Sequence, residues 1–183
     1  LAIRDSALST VLNTAGWETI RINNQPSADG SFANNTLDMS GLTVSPNQTV
    51  IEVTGSGGSP LTLTALKPAD LTGGTAFDRN LQVSVVNFDG RLALQESNAT
   101  ASDVIQVNVR DSSFWLDAGL SGGTSRNFET IEINALGPLA PATVNTSFVH
   151  LNEASTLMGG TLSVSGVAGS VLSIDGIRAG TIN

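Results

Sequence analysis

The residues that could carry chemistry in this chain are few, and their spacing limits what they could do. His150 is the only histidine, set in Ser147-Phe148-Val149-His150-Leu151, an alternating run that places it on a strand. A nucleophile, histidine and acid triad needs only one histidine, but the Gly-x-Ser-x-Gly turn that would present a serine is absent. A histidine-based metal site needs partners that one imidazole lacks. Carboxylates are the abundant functional groups. Asp111 and Asp117 flank Phe114-Trp115, and Glu129 and Glu132 follow on the next predicted strand. Paired acids cleave glycosides when their separation across a cleft suits one of two mechanisms. Trp115 with Asp111 and Asp117 is therefore the candidate ligand site of a carbohydrate-binding or polysaccharide-cleaving module. Against that reading, Trp17 and Trp115 are the only tryptophans, and each acid is equally explained as the solvated face of a strand. The sequence predicts a protein that is not an enzyme, with no catalytic residues.

Calcium would draw on Asp70, Asp78, Asp103, Asp111 and the carbonyls of glycine turns. Neither an Asp-x-Asp-x-Asp-Gly loop nor a Gly-Gly-x-Gly-x-Asp repeat is present, so no cofactor and no metal site are predicted beyond an adventitious calcium ion. Asn-x-Ser/Thr triplets begin at Asn34, Asn47, Asn98 and Asn145, in or beside predicted loops, and are candidate glycosylation positions.

The elements that must carry these residues are strands. In Val104 to Arg110, Ile105, Val107 and Val109 alternate with Gln106, Asn108 and Arg110, the period of a strand with one buried face. The same reading gives strands at Trp17–Asn23, Leu37–Val44, Thr49–Thr54, Leu61–Leu66, Leu81–Phe88, Arg91–Gln95, Phe114–Asp117, Thr130–Ala135, Val144–Leu151, Thr161–Ser165 and Val171–Ile174. Between them stand Ser45-Pro46-Asn47, Asp89-Gly90, Gly137-Pro138, Gly159-Gly160 and Asp175-Gly176, all turn chemistry. Residues 1–16 read differently. Asp5 or Ser6 would cap a short helix with Leu8, Val11, Leu12 and Ala15 on its apolar face and Gly16 at its end, a helical cap or docking segment ahead of a single β-rich domain over 17–183.

Two architectures fit the strands. A parallel β-solenoid stacks irregular coils around a narrow aliphatic column. An antiparallel β-sandwich or jelly roll gives the same alternation, and Asp89-Gly90 would then be a hairpin turn. Short strands and an aromatic content of 4% with no tyrosine favour the solenoid. Gly-Gly-Thr recurs at 73–75, 122–124 and 159–161 without a fixed period.

Composition bounds the partners. Sixteen acidic residues stand against eight basic ones, of which only Lys67 is a lysine, for a net charge of −8. Nucleic acid is disfavoured because phosphate binding needs clustered Lys and Arg. No run approaches the eighteen or so apolar residues of a membrane span, so no membrane insertion is expected. Charged residues are 13% of the chain, with Ser, Thr, Asn and Gly in their place, and cysteine is absent. That composition suits an extracellular, cell-surface or virion setting. A start at Leu1 rather than Met is that of a processed chain or a fragment, which leaves room for a removed secretion signal. The leading expectation is a structural protein that self-assembles, as a homo-oligomer or polymer, into a filament, fibre or surface layer. Surface glycans are the partner expected of the carbohydrate alternative.

Overall fold

The computed structural model describes residues 2–4, 9–11, 13–24, 35–43, 49–55, 60–66, 81–96, 104–118, 128, 130–139, 144–151, 161–177 and 181–182. Their strands are β1 (Ala2–Arg4), β2 (Ser9–Val11), β3 (Thr14–Ala15), β4 (Thr19–Asn23), β5 (Asn35–Asp38), β6 (Leu42–Thr43), β7 (Thr49–Gly55) and β8 (Pro60–Leu66). They continue as β9 (Leu81–Glu96), β10 (Val104–Arg110), β11 (Ser113–Asp117), β12 (Thr130–Ala135), β13 (Asn145–Leu151), β14 (Thr161–Gly166), β15 (Ser170–Asp175) and β16 (Thr181–Ile182). Every pairing among them is parallel. Parallel neighbours joined by long connections cannot be hairpins. The chain is a β-solenoid.

One ladder runs β1-β4-β7-β9-β10-β12-β14-β16, and a second runs β2-β5-β8-β9-β11-β13-β15. The long strand β9 belongs to both, its first half paired with β7 and β10 and its second with β8 and β11. A short third ladder, β3-β6, joins the first two coils. Stacked partners Arg21, Glu52, Ser84, Asn108, Asn134 and Ser165 lie 31, 32, 24, 26 and 31 residues apart along the chain. Coils of unequal length put equivalent positions in register without a sequence period; the Gly-Gly pairs of the Gly-Gly-Thr triplets lie outside the described residues.

The core follows from that register. Ile20, Ile51, Val83, Val107 and Ile133 form one buried column, and Ile22, Val53, Val85, Val109 and Ala135 form the next. On the second ladder Leu61, Leu92, Leu116 and Leu151 are stacked the same way. Large rings enter only where a neighbour makes room. Phe114 stacks on Gly90 and meets Phe88 edge to face at a centroid distance of 5.9 Å.

Two expectations are corrected, and of two open readings of Asp89-Gly90 one falls. Among the described residues there is no helix, and the N-terminal segment forms β1, β2 and β3 instead of a helical cap, with Val11 in β2 and Ala15 in β3. Leu8 and Leu12 lie outside the described residues. Helix preference is a few tenths of a kcal/mol per residue, weak beside a full set of main-chain bonds to the next coil, and Thr10, Val11 and Thr14 are β-branched residues that favour strands. The predicted strand Leu37–Val44 is broken in two by Met39 to Gly41. There Asp38 Oδ1 accepts from the Ser40 N–H at 2.8 Å and the Leu42 N–H donates to the Met39 carbonyl at 2.9 Å. The bonds from Ser40 hold the Asp38 carboxyl below the ordinary carboxylate range. The turn is thus stabilised above that range and loses the contribution as pH falls through the lowered value. Finally, Asp89-Gly90 is no hairpin. It lies within β9, just past a corner at Asn87, whose φ is 49°.

Two turn glycines differ in the room they leave. Gly55 has φ +132°, and a Cβ there would sit 1.9 Å from the Asn24 carbonyl oxygen. At Gly16, φ +74°, a Cβ would meet nothing within 4 Å. Gly16→Ala should therefore cost only the left-handed backbone penalty of about 1–2 kcal/mol, whereas Gly55→Ala should lower the urea midpoint far more. Equal midpoints for the two variants would contradict this packing.

Candidate functional site

The outer face of the second ladder brings aromatic and charged side chains together. Register places Arg91, Trp115, His150 and Asp175 in one column, one residue from each of β9, β11, β13 and β15. Trp115 is 52% exposed. Its ring stacks on His150 at a centroid distance of 5.0 Å and an interplanar angle of 27°. His150 Nδ1 donates to Asp175 Oδ1 at 2.6 Å. On the other side Arg91 Nη2 donates to Asp117 Oδ2 at 3.1 Å. Outward side chains stacked along a solenoid turn their ring faces toward one another, so His150 covers one face of Trp115.

A parallel column lies one step nearer the corner: Asp89, Ser113, Phe148 and Ser173. Phe148 is 45% exposed. Between it and the corner lies an open groove of about 470 Å³, lined by Asn87, Asp89, Asp111, Ser113, Thr146 and Phe148. Two of these, Asn87 and Asp111, have left-handed backbones with φ 49° and 47°. Asn and Asp tolerate that conformation better than other side chains with a Cβ.

The corner behind the groove is held by buried side chains that replace ladder bonds. Asn145 Oδ1 accepts from the Asp111 N–H at 2.7 Å and from Ser147 Oγ at 3.3 Å, while its Nδ2 donates to the Leu136 carbonyl. Ser112 Oγ donates to the Val85 and Arg110 carbonyls at 3.2 and 2.8 Å and accepts from the Phe88 N–H at 3.2 Å. The Phe148 N–H donates to the Ser112 carbonyl at 2.8 Å. A turning chain exposes main-chain groups that a straight ladder would pair, and these side chains satisfy them.

The first ladder carries a different outer surface. Gln82, Ser84, Gln106 and Asn108 are buried there. Asn108 Oδ1 accepts from Gln106 Nε2 at 3.2 Å and Asn134 Nδ2 at 3.1 Å, and Asn108 Nδ2 donates to Gln82 Oε1 at 3.0 Å. Ser165 Oγ extends the chain of bonds to Asn134 Oδ1 at 3.1 Å. These amides are spent on each other.

The structure separates the carbohydrate candidates. Trp115 and Asp117 share the outer face of β11, but Asp111 lies around the corner. From Ser113 to Asp117 alone the strand spans about 13 Å at ~3.3 Å per residue, already beyond the ~9.5 Å upper limit for an acid pair acting across one sugar bond. Asp117 is moreover engaged by Arg91. Glu132 faces out from the first ladder, and Glu129 is outside the described residues. Of the calcium candidates, Asp70, Asp78 and Asp103 fall outside the described residues. No group of three metal-ligating side chains occurs among the described residues. Among them, too, no helix is long and apolar enough to cross a membrane. Of the glycosylation candidates, Asn34, Asn47 and Asn98 lie outside the described residues. The Asn145 amide is fully buried and bonded to the Leu136 carbonyl, so the folded corner has no place for a sugar on it.

Sequence reasoning missed Phe148 and Asp89. Alternation already placed Phe148 outward, opposite Val149 and Leu151, but nothing local shows that Ser113 and Asp89 stack beside it. Comparison with known proteins adds no assignment: no protein-family model, no curated protein and no solved structure matches this chain.

Asn145→Ala should destabilise the fold by about 2–4 kcal/mol, since each buried group left unpaired costs roughly 1–3 kcal/mol. Asp117→Asn should change stability by less than about 1 kcal/mol, as expected of an exposed ion pair. Urea unfolding of both variants checks the contrast, and a silent Asn145→Ala would remove the corner from the account of stability.

Proposed function

We propose that this chain is a structural β-solenoid of an extracellular, cell-surface or virion assembly, and that copies join through their ends into a filament, fibre or surface layer. The observation that supports the reading is a core left partly uncovered around β14 and β15 among the described residues. Val164 continues the buried column of Ile51, Val83, Val107 and Ile133 by register, yet it is 38% exposed. Leu172 and Ile174 are only partly buried. β16 pairs with Thr161 and Leu162 but not with Val164, and β15 pairs with β13 alone among the described strands. A strand with one free edge and an apolar column that stops short are both completed by another parallel coil. The coil of a second copy supplies that. The segment from Leu172 onward is then the docking end, and β1 and β2 present the complementary edge.

Composition supports the same setting. A chain with 13% charged residues and no cysteine allows close axial approach of copies without strong repulsion and without a thiol to protect.

The test is electron microscopy and light scattering of the purified protein over a concentration series, with Val171→Lys/Ser173→Lys as the comparison. Both positions are exposed on β15, and lysine on an edge strand blocks strand addition. Filaments, sheets or growing oligomers that disappear in the double variant are the expected result. Monodisperse monomers of the unaltered chain at all concentrations would end the proposal.

A further inference from the structure

We infer that the corner groove beneath Phe148, and not the Trp115 ring, is a binding site for an uncharged sugar ring. This goes beyond the scaffold reading and does not depend on it.

A sugar is held in water by one apolar C–H face against an aromatic ring and by hydroxyls bonded to fixed polar groups. Trp115 is the more obvious platform, but one of its faces is already covered by His150 at 5.0 Å. Phe148 is differently placed. Its neighbour in the column toward the groove is Ser113, a small side chain, and the next is Asp89. Two strand spacings separate Phe148 from Asp89, about 9.5 Å at ~4.8 Å each. A flat ring in van der Waals contact on both sides needs about 7–8 Å, two contacts of ~3.5–4 Å. The small Ser113 thus leaves room of about one ring's thickness between the Phe148 and Asp89 side chains.

The polar groups suit hydroxyls. The Asp89 and Asp111 carboxylates and the Thr146 and Ser113 hydroxyls line the groove, and hydrogen bonds from sugar hydroxyls to a carboxylate are of the stronger, charge-assisted kind. The same two carboxylates, on a chain of net charge −8, repel uronic or sialic acids. The ligand class is therefore neutral hexoses or N-acetylhexosamines. The site is also held ready before binding. The backbone that carries the two side chains is held at Asp111 by its N–H bond to Asn145 Oδ1 at 2.7 Å and at Phe148 by its N–H bond to the Ser112 carbonyl at 2.8 Å. Fixing a site in advance lowers the ordering cost of binding.

An array of immobilised neutral hexose and N-acetylhexosamine oligosaccharides, with hexuronate and sialylated oligosaccharides alongside, probes the inference directly. The intact chain should bind at least one neutral member and no acidic one. Phe148→Ala and Phe148→Leu, both at an exposed position, should weaken that binding tenfold or more, as should Asp89→Asn. Trp115→Ala should change it by less than twofold, with circular dichroism confirming that each variant keeps its strands. Absence of any neutral ligand, preference for acidic ones, full binding by both Phe148 variants, or loss confined to Trp115→Ala would each overturn the assignment.

Discussion

Parallel, in-register stacking of coils is the constraint from which the rest of this molecule follows. Each residue on a ladder has its counterpart in the coils above and below at about 4.8 Å, so a side chain's nearest neighbour is chosen by register, not by sequence proximity. Inside, this turns Ile20, Ile51, Val83, Val107 and Ile133 into one aliphatic column. It also explains the scarcity of rings. A ring in every coil would overfill the narrow interior, and Phe114 is accommodated because Gly90 lies beside it.

The same spacing accounts for the charge composition. Like charges stacked about 4.8 Å apart would repel by roughly 1 kcal/mol in water and by several times that near a protein surface. Along a column such repulsions would accumulate. Arg21 stacks directly on Glu52 and pairs with it, Arg91 reaches diagonally to Asp117, and His150 bonds Asp175. Elsewhere amides and hydroxyls take their place. Gln82, Gln106, Asn108, Asn134 and Ser165 can repeat from coil to coil because each both donates and accepts. A chain with few charges and many Asn, Ser and Thr is thus a consequence of stacking as much as of where the protein resides.

Corners are where the register is negotiated. A ladder pairs its own main chain, but a turn does not. Asn145, Ser147 and Ser112 supply the missing bonds from inside the corner, and near the N-terminal end Asn35 Nδ2 donates to Asn24 Oδ1 at 2.6 Å, side chain to side chain. Because side chains close these corners, connections can differ in length without disturbing the columns. The price is backbone held at positive φ in Asn87 and Asp111. Their side chains, with a small Ser113 between Asp89 and Phe148, shape the groove at the surface.

The sequence by itself determined the strands, the aliphatic interior and the exclusion of a disulfide framework, because period-2 alternation and residue type are local properties. It also favoured a solenoid through short strands and few aromatics. It could not distinguish a hairpin at Asp89-Gly90 from a corner, since a turn's local chemistry is alike in both and only the pairing partner differs. It read residues 1–16 as a helix because an i, i+3, i+4 spacing of Leu8, Val11, Leu12 and Ala15 outweighs the β-branched residues when no neighbouring coil is in view. Asn145 looked like a loop triplet, and only the coil carrying Asp111 shows what its amide does. Trp115 and Asp117 were legible as near neighbours on one short strand, whereas Phe148 with Asp89 and Asp111 was not. Those residues are brought together across coils of unequal length, and the offset between one coil and the next is decided by tertiary stacking alone.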